Sequence, residues 1–142
     1  MSPKSYKTKK IERSDFIIYL NKAKEFYRTM YRAEKAEDWN AAGLNGVHCV
    51  ISLIDALLCK YEGIRSSEEE HMKVIDLLNS SLSGKYNFKD ISQRSQTAKR
   101  VIAKKNLIEY ENRNFLQSEA LGMIKHVQRF YEWATENLQR NS

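Results

Sequence analysis

The stretch Trp39-Asn40-Ala41-Ala42-Gly43-Leu44-Asn45-Gly46-Val47-His48-Cys49-Val50-Ile51-Ser52-Leu53-Ile54-Asp55-Ala56-Leu57-Leu58-Cys59-Lys60-Tyr61 is apolar or small at almost every position. A helix that is apolar on most faces has to be buried on most faces, so this segment reads as the central helix of the fold. Asp38 stands where an N-cap belongs, and Gly63 stands where a left-handed C-cap belongs. Gly43 and Gly46 carry no side chain and let a neighbouring helix approach closely, at some cost in helix propensity. The most apolar part, Val47–Leu58, reads as too short and too polar to cross a bilayer.

Helical periodicity continues on both sides. Ser14-Asp15 caps a first helix in which Phe16, Leu20, Ala23, Tyr27, Met30 and Tyr31 recur through about Ala36. After the central helix, Ser66 with Glu69, or Ser67 with Glu70, fits a capping box before a short third helix. Val74, Ile75, Leu77, Leu78 and Leu82 form its apolar face. Residues 80–87 read as a loop. A fourth helix is expected from about Asp90 to Glu111, with Ile91, Ala98, Val101, Ile102 and Ile108 as its stripe. A fifth starts at Gln117-Ser118-Glu119 and runs to the end on Ala120, Met123, Ile124, Val127, Phe130, Tyr131, Ala134 and Leu138. No β alternation, no repeat and no low-complexity block is present. The expectation is an all-α, antiparallel four- to five-helix up-down bundle over residues 14–142, preceded by a basic, flexible N-terminal arm at residues 1–13.

With 142 residues the chain is one domain's worth. Its 42% hydrophobic and 30% charged residues exclude a disordered chain. No apolar stretch follows the basic start, so no secretory signal is expected. Cys49 and Cys59 are ten residues apart in one helix, ~15 Å along its axis and too far to bridge. Two free thiols suit a reducing, cytoplasmic setting. The net charge of +6 is unevenly spread. Residues 1–36 hold ten Lys/Arg against four Asp/Glu, residues 37–82 three against eight, and residues 83–113 eight against three. Such basic regions can hold phosphates of nucleic acid. They also fit a solvated helix face with a basic tail, or charge complementarity in a dimer.

Cofactor and metal motifs are missing. No glycine-rich phosphate loop or dinucleotide pattern occurs, since Gly43 and Gly46 lie within a helix. His48, His71 and His126 belong to three elements and lack metal-ligand spacing. Neither a cofactor nor a metal is expected. Three polar groups remain as candidate sites. Asp55 lies inside the most apolar helix, where a carboxylate needs a partner, and Lys105 or Tyr110 could supply one. Arg65 and His71 form an Arg-x5-His spacing: a histidine can move a proton and an arginine can hold the scissile phosphate in metal-independent RNA cleavage. Asn112-Arg113-Asn114 precedes the last helix, whose N-terminus could take a phosphate with Arg113 beside it. Plain structural or solvated roles compete for each group. The aromatic residues Tyr19, Phe26, Tyr27, Tyr31, Phe130, Tyr131 and Trp133 read mainly as core or dimer surface, with a base-stacking platform as the alternative.

Three segments carry a family likeness. They are Gly46-Val47-His48-Cys49 running into Asp55-Ala56-Leu57-Leu58, then Gly63-Ile64-Arg65-Ser66 with His71 and Leu77-Leu78, and Lys105-Asn106-Leu107-Ile108-Glu109-Tyr110 followed by Ser118-Glu119-Ala120 and Phe130. In order and spacing the chain resembles the HEPN domains, small all-helical proteins. The resemblance implies a helical bundle, usually a homodimer, working around RNA or nucleotides, often in defence or toxin–antitoxin systems. Many such domains are ribonucleases with an Arg-x4–6-His motif near the start of the last long helix. Arg113 sits in that region, but no histidine follows within six residues, and His126 is thirteen away. The sequence therefore points to a non-catalytic HEPN-like dimer that binds RNA, a nucleotide or a partner protein. In that reading Arg65, His71, Lys105, Tyr110 and Arg113 line the groove, and Asp55 orients Lys105 or Tyr110. The alternatives are a metal-independent ribonuclease toxin using Arg65 and His71, and a purely structural interaction protein.

Overall fold

The structure is a computed structural model and describes residues 6–67, 71–86 and 88–140. In chain order the elements are β1 (Thr8–Lys10), a 3-10 turn (Arg13–Asp15), α1 (Phe16–Lys35), α2 (Trp39–Glu62), β2 (Ile64–Ser66), α3 (His71–Leu82), α4 (Ile91–Ile102), α5 (Lys105–Tyr110) and α6 (Gln117–Gln139). The all-helical expectation holds, with a two-stranded sheet added. The capping boxes expected with Glu69 or Glu70 lie outside the described residues.

α2 is the hub. Every other α-helix packs against it. Val47, Val50, Leu53, Ile54, Leu57 and Leu58 are all fully or almost fully buried. By length and mean hydropathy (1.6 over its best window) α2 would in fact suffice to cross a membrane, contrary to the sequence expectation, but 72% of that window is buried within the bundle. Its ends are set as expected: Asp38 is the N-cap residue and Gly63, with φ 63°, is the left-handed C-cap.

The turn between α1 and α2 closes with a Schellman pattern. The Asp38 N–H donates to the Ala33 carbonyl at 2.9 Å, and the Glu37 N–H donates to Glu34 at 3.0 Å. Glu37 occupies the left-handed position at φ 59°, a conformation usually left to glycine. So tight a turn makes α1 and α2 antiparallel neighbours.

The remaining directions depart from an up-down order. Asn40 donates to Asn114 at 3.2 Å, at the N-terminal ends of α2 and α6, and Tyr61 Oη donates to the Asn137 carbonyl at 2.8 Å, at their C-terminal ends. α2 and α6 therefore run parallel. α4 is antiparallel to both α3 and α6: Lys99 pairs with Asp76 at 3.0 Å, and Trp133 Nε1 donates to the Lys89 carbonyl at 3.0 Å. To start α3 in the same direction as α2, the chain has to travel back along the bundle. The eight residues between Glu62 and His71 reach ~26 Å when extended, enough to do so. β2 is the described part of that return. β1, within the segment expected to be a flexible arm, pairs antiparallel with it in the register Thr8↔Ser66, Lys9↔Arg65 and Lys10↔Ile64. Arg13 Nη1 anchors the junction on the Tyr61 carbonyl at 2.7 Å.

The fourth helix expected over 90–111 is two helices, broken at Ala103-Lys104. Ile91, Ser95, Ala98, Val101 and Ile102 are buried along α4, and Ile108, seven residues after Val101, continues that face onto α2 against Gly43. A Cβ on Gly43 would stand 2.7 Å from Ile108 Cδ1 and 2.8 Å from the ring of Phe115, which is 2% exposed. On Gly46 it would meet Val127, Met123 and Met30 at 3.1–3.3 Å. These contacts bear out the close approach expected at both glycines.

Gly43→Ala should destabilise the fold by roughly 1–3 kcal/mol through overpacking. Glu37→Gly should stabilise it by about 1 kcal/mol by relieving the left-handed position. Urea unfolding of the two variants beside the parent chain checks both signs.

Candidate functional site

The residues singled out from sequence fall into three places. His71, Lys105 and Tyr110 come together. His71 opens α3, and Lys105 and Tyr110 begin and end α5. With Asn106, Met72, Ile102 and Ala103 they line a groove of about 350 Å³. Lys105 Nζ pairs with Glu109 Oε2 at 2.8 Å, one helical turn on, and lies 5.8 Å from the centre of the Tyr110 ring. That ring is 75% exposed, which is unusual for so large an aromatic group. The hydrogen bond to Glu109 raises the Lys105 pKa, and the same bond lowers that of Glu109. His71 is held below the ordinary histidine range by burial first, then by Lys105 and His48, with Glu109 opposing. Near neutral pH the groove thus presents one fixed cation, one neutral imidazole and one open aromatic face.

A second groove, of about 460 Å³, adjoins the first across Ala103, which lines both. It lies between the end of α4 and the first half of α6. Val101, Gly122 and Met123 contribute apolar surface, and Arg100, Lys104 and His126 add basic groups. His126 is kept below its usual range by burial, then by Arg100 and Arg129. Sequence reasoning missed this groove because its two walls meet only through the antiparallel packing of α4 on α6. It also gave Glu109 no role, although the Lys105-x3-Glu109 spacing places the pair on one helix face.

Arg113 stands beside the second groove but is engaged. Its guanidinium makes a two-pronged pair with Glu119, Nη1–Oε1 at 2.8 Å and Nη2–Oε2 at 2.9 Å. Glu119 Oε1 also accepts the Leu116 N–H at 3.0 Å. The arginine and that backbone bond hold the Glu119 carboxyl at a pKa of about 2. The place at the α6 N-terminus expected to take a phosphate is therefore filled by the chain's own carboxylate.

Asp55 and Arg65 lie near one another where β2 passes the α1–α2 pair. The Arg65 guanidinium lies 5.5 Å from the centre of the Tyr19 ring. Burial raises Asp55 to a pKa of about 6, opposed by the positive charges of Arg65 and Lys22. Asp55 thus answers to Arg65 and Lys22 rather than to Lys105 or Tyr110. Arg65 is not among the residues that line either groove. Among the described residues no group of three or more His, Cys, Asp or Glu is placed to hold a metal ion. No protein-family model, curated protein or solved structure matches the chain.

A carboxyl whose pKa is raised on folding contributes stability below its unfolded pKa and loses it as pH rises through the folded value. Asp55 should therefore cost the fold about 3 kcal/mol above pH 6, the equivalent of its shift. Asp55→Asn should unfold at higher urea than the parent at pH 8 and at nearly the same urea at pH 4. An equal gain at both pH values would show that the carboxylate is not desolvated.

Proposed function

We propose that this chain is a non-catalytic, HEPN-like helical domain that binds single-stranded RNA across the two grooves at the α4–α5 break. One observation carries the reading: the shared Ala103 wall joins Arg100, Lys104 and His126 on one side to His71, Lys105 and the open Tyr110 ring on the other. Cations that follow a backbone, with an exposed aromatic on which a base can stack, are what binding of a flexible single strand needs. Lys104 and Arg100 are exposed and would contact phosphates, while Lys105, steered by Glu109, would hold a phosphate beside the base on Tyr110. Arg65 lies outside the lining of both grooves, which favours binding over cleavage. The family likeness extends the proposal to a homodimer, which sedimentation of the purified chain would report directly.

The test is fluorescence anisotropy with a labelled, mixed-sequence single-stranded RNA in EDTA over a salt series. Each phosphate contact adds about 0.7 to the slope of log affinity against log salt, so Arg100→Ala/Lys104→Ala should flatten the slope by roughly 1.4. Tyr110→Ala should weaken binding roughly tenfold, the value of one modest stack. Unchanged binding in both variants contradicts the proposal. Cleavage of the RNA in EDTA that His71→Ala abolishes would replace it with the ribonuclease reading.

Affinity should also rise as pH falls below the ordinary histidine range, where His71 and His126, both held below it, take up protons and add positive charge to the grooves. His71→Ala with His126→Ala should remove that rise.

A further inference from the structure

A second cationic and aromatic surface lies on the other side of α6. Tyr27, Arg28, Tyr31, Arg32 and Lys35 follow one edge of α1 and line a surface groove of about 320 Å³. From α6, Tyr131 stacks on Tyr27 with ring centres 3.7 Å apart and planes 3° from parallel. Tyr31 meets Tyr27 edge-on at 5.1 Å, and the two hydroxyls are 3.4 Å apart. The three rings hold one another in place, so a planar ligand could join them with little further loss of side-chain freedom.

The charges beside these rings are arranged at a cost to the helix. Lys24, Arg28 and Arg32 succeed one another at i,i+4, and Arg32 and Lys35 stand at i,i+3. Each like-charge pair at these spacings destabilises a helix. Among the described residues no carboxylate forms an ion pair with Arg28, Arg32 or Lys35. Glu132, near the Tyr27 hydroxyl, instead accepts from Gln128 at 3.3 Å. Glu25, three residues before Arg28, makes no ion pair with it either. Uncompensated cations bordering a fixed ring cluster suit phosphates joined to a planar base better than they suit a carboxylate peptide.

The position fits as well. The end of α1, the start of α6 and the α4–α5 break lie at the same end of the bundle. α6 separates the two surfaces, and neighbouring helix axes are ~8–10 Å apart, so the crossing is ~20 Å. We infer that the α1–α6 face is a second contact surface for the RNA strand held at the α4–α5 grooves, with a base against the Tyr27–Tyr131–Tyr31 cluster and successive phosphates along Arg28, Arg32 and Lys35. The inference rests on the RNA-binding proposal and lengthens its footprint.

The experiment compares Arg28→Gln/Arg32→Gln/Lys35→Gln with the equal-charge control Lys9→Gln/Lys10→Gln/Lys89→Gln, on a long single-stranded RNA and on an oligonucleotide only a few bases long. All six positions are exposed, and circular dichroism confirms that both variants fold. The α1 variant should flatten the salt slope on the long RNA by roughly 2, three phosphates at about 0.7 each, and leave the short oligonucleotide unchanged. Tyr131→Ala should weaken only the long RNA. An α1 variant with the parent's slope on long RNA overturns the inference, and leaves the RNA-binding proposal standing if Arg100→Ala/Lys104→Ala still loses affinity. Equal flattening by the control also overturns it, since net charge alone would then account for the effect. Parent chain that binds neither RNA removes both.

Discussion

Covering a helix that is apolar on nearly every face is the constraint on which the rest of this structure depends. α2 exposes too much hydrocarbon to be served by one neighbour, and all five other α-helices pack on it. Gly43 and Gly46 bring Ile108, Phe115, Met123 and Val127 close to its axis. A central helix surrounded in this way dictates the path of the chain. α3 runs in the direction of α2, so the chain returns through β2, and β1 satisfies the strand edge this return would leave open. The short α5 sets Ile108 against Gly43 of the same central helix.

Much of this was legible in the amino-acid order. The capping residues Asp38 and Gly63, the apolar stripe of α3 and the close-approach glycines are local signals, and each appears where the pattern places it. What was not legible depends on contacts between distant segments. A three-residue strand such as Thr8–Lys10 has no periodicity to read and exists only because Ile64–Ser66 lies beside it. The parallel course of α2 and α6 follows from a long return connection, whereas an up-down order assumes short ones. The helix break at Ala103 left no local signal, since Ile108 follows Val101 by seven residues and keeps the apolar stripe in phase.

The candidate site divides along the same line. Lys105 and Tyr110 flank one short helix, so their proximity was local. His71 joins them because α3 begins beside the end of α4. Arg65 is near His71 in sequence but is not among the groove-lining residues, and its guanidinium lies against the Tyr19 ring. Arg113 was read as a free cation, but Glu119 six residues later captures it in two hydrogen bonds. Asp55 was rightly suspected of needing positive company, and the company is Arg65 and Lys22. Arg100 and Lys104, with His126 beside them, gather around the α4–α5 break.

The most direct test of this account is to titrate the isotopically labelled chain with a single-stranded oligoribonucleotide and follow the backbone amides by nuclear magnetic resonance. The account predicts shifts concentrated in residues 100–110, at His71 and around Gly122–His126, with the Tyr19–Asp55–Arg65 flank unmoved. Shifts centred on that flank instead, or none at concentrations that saturate the anisotropy, would contradict it.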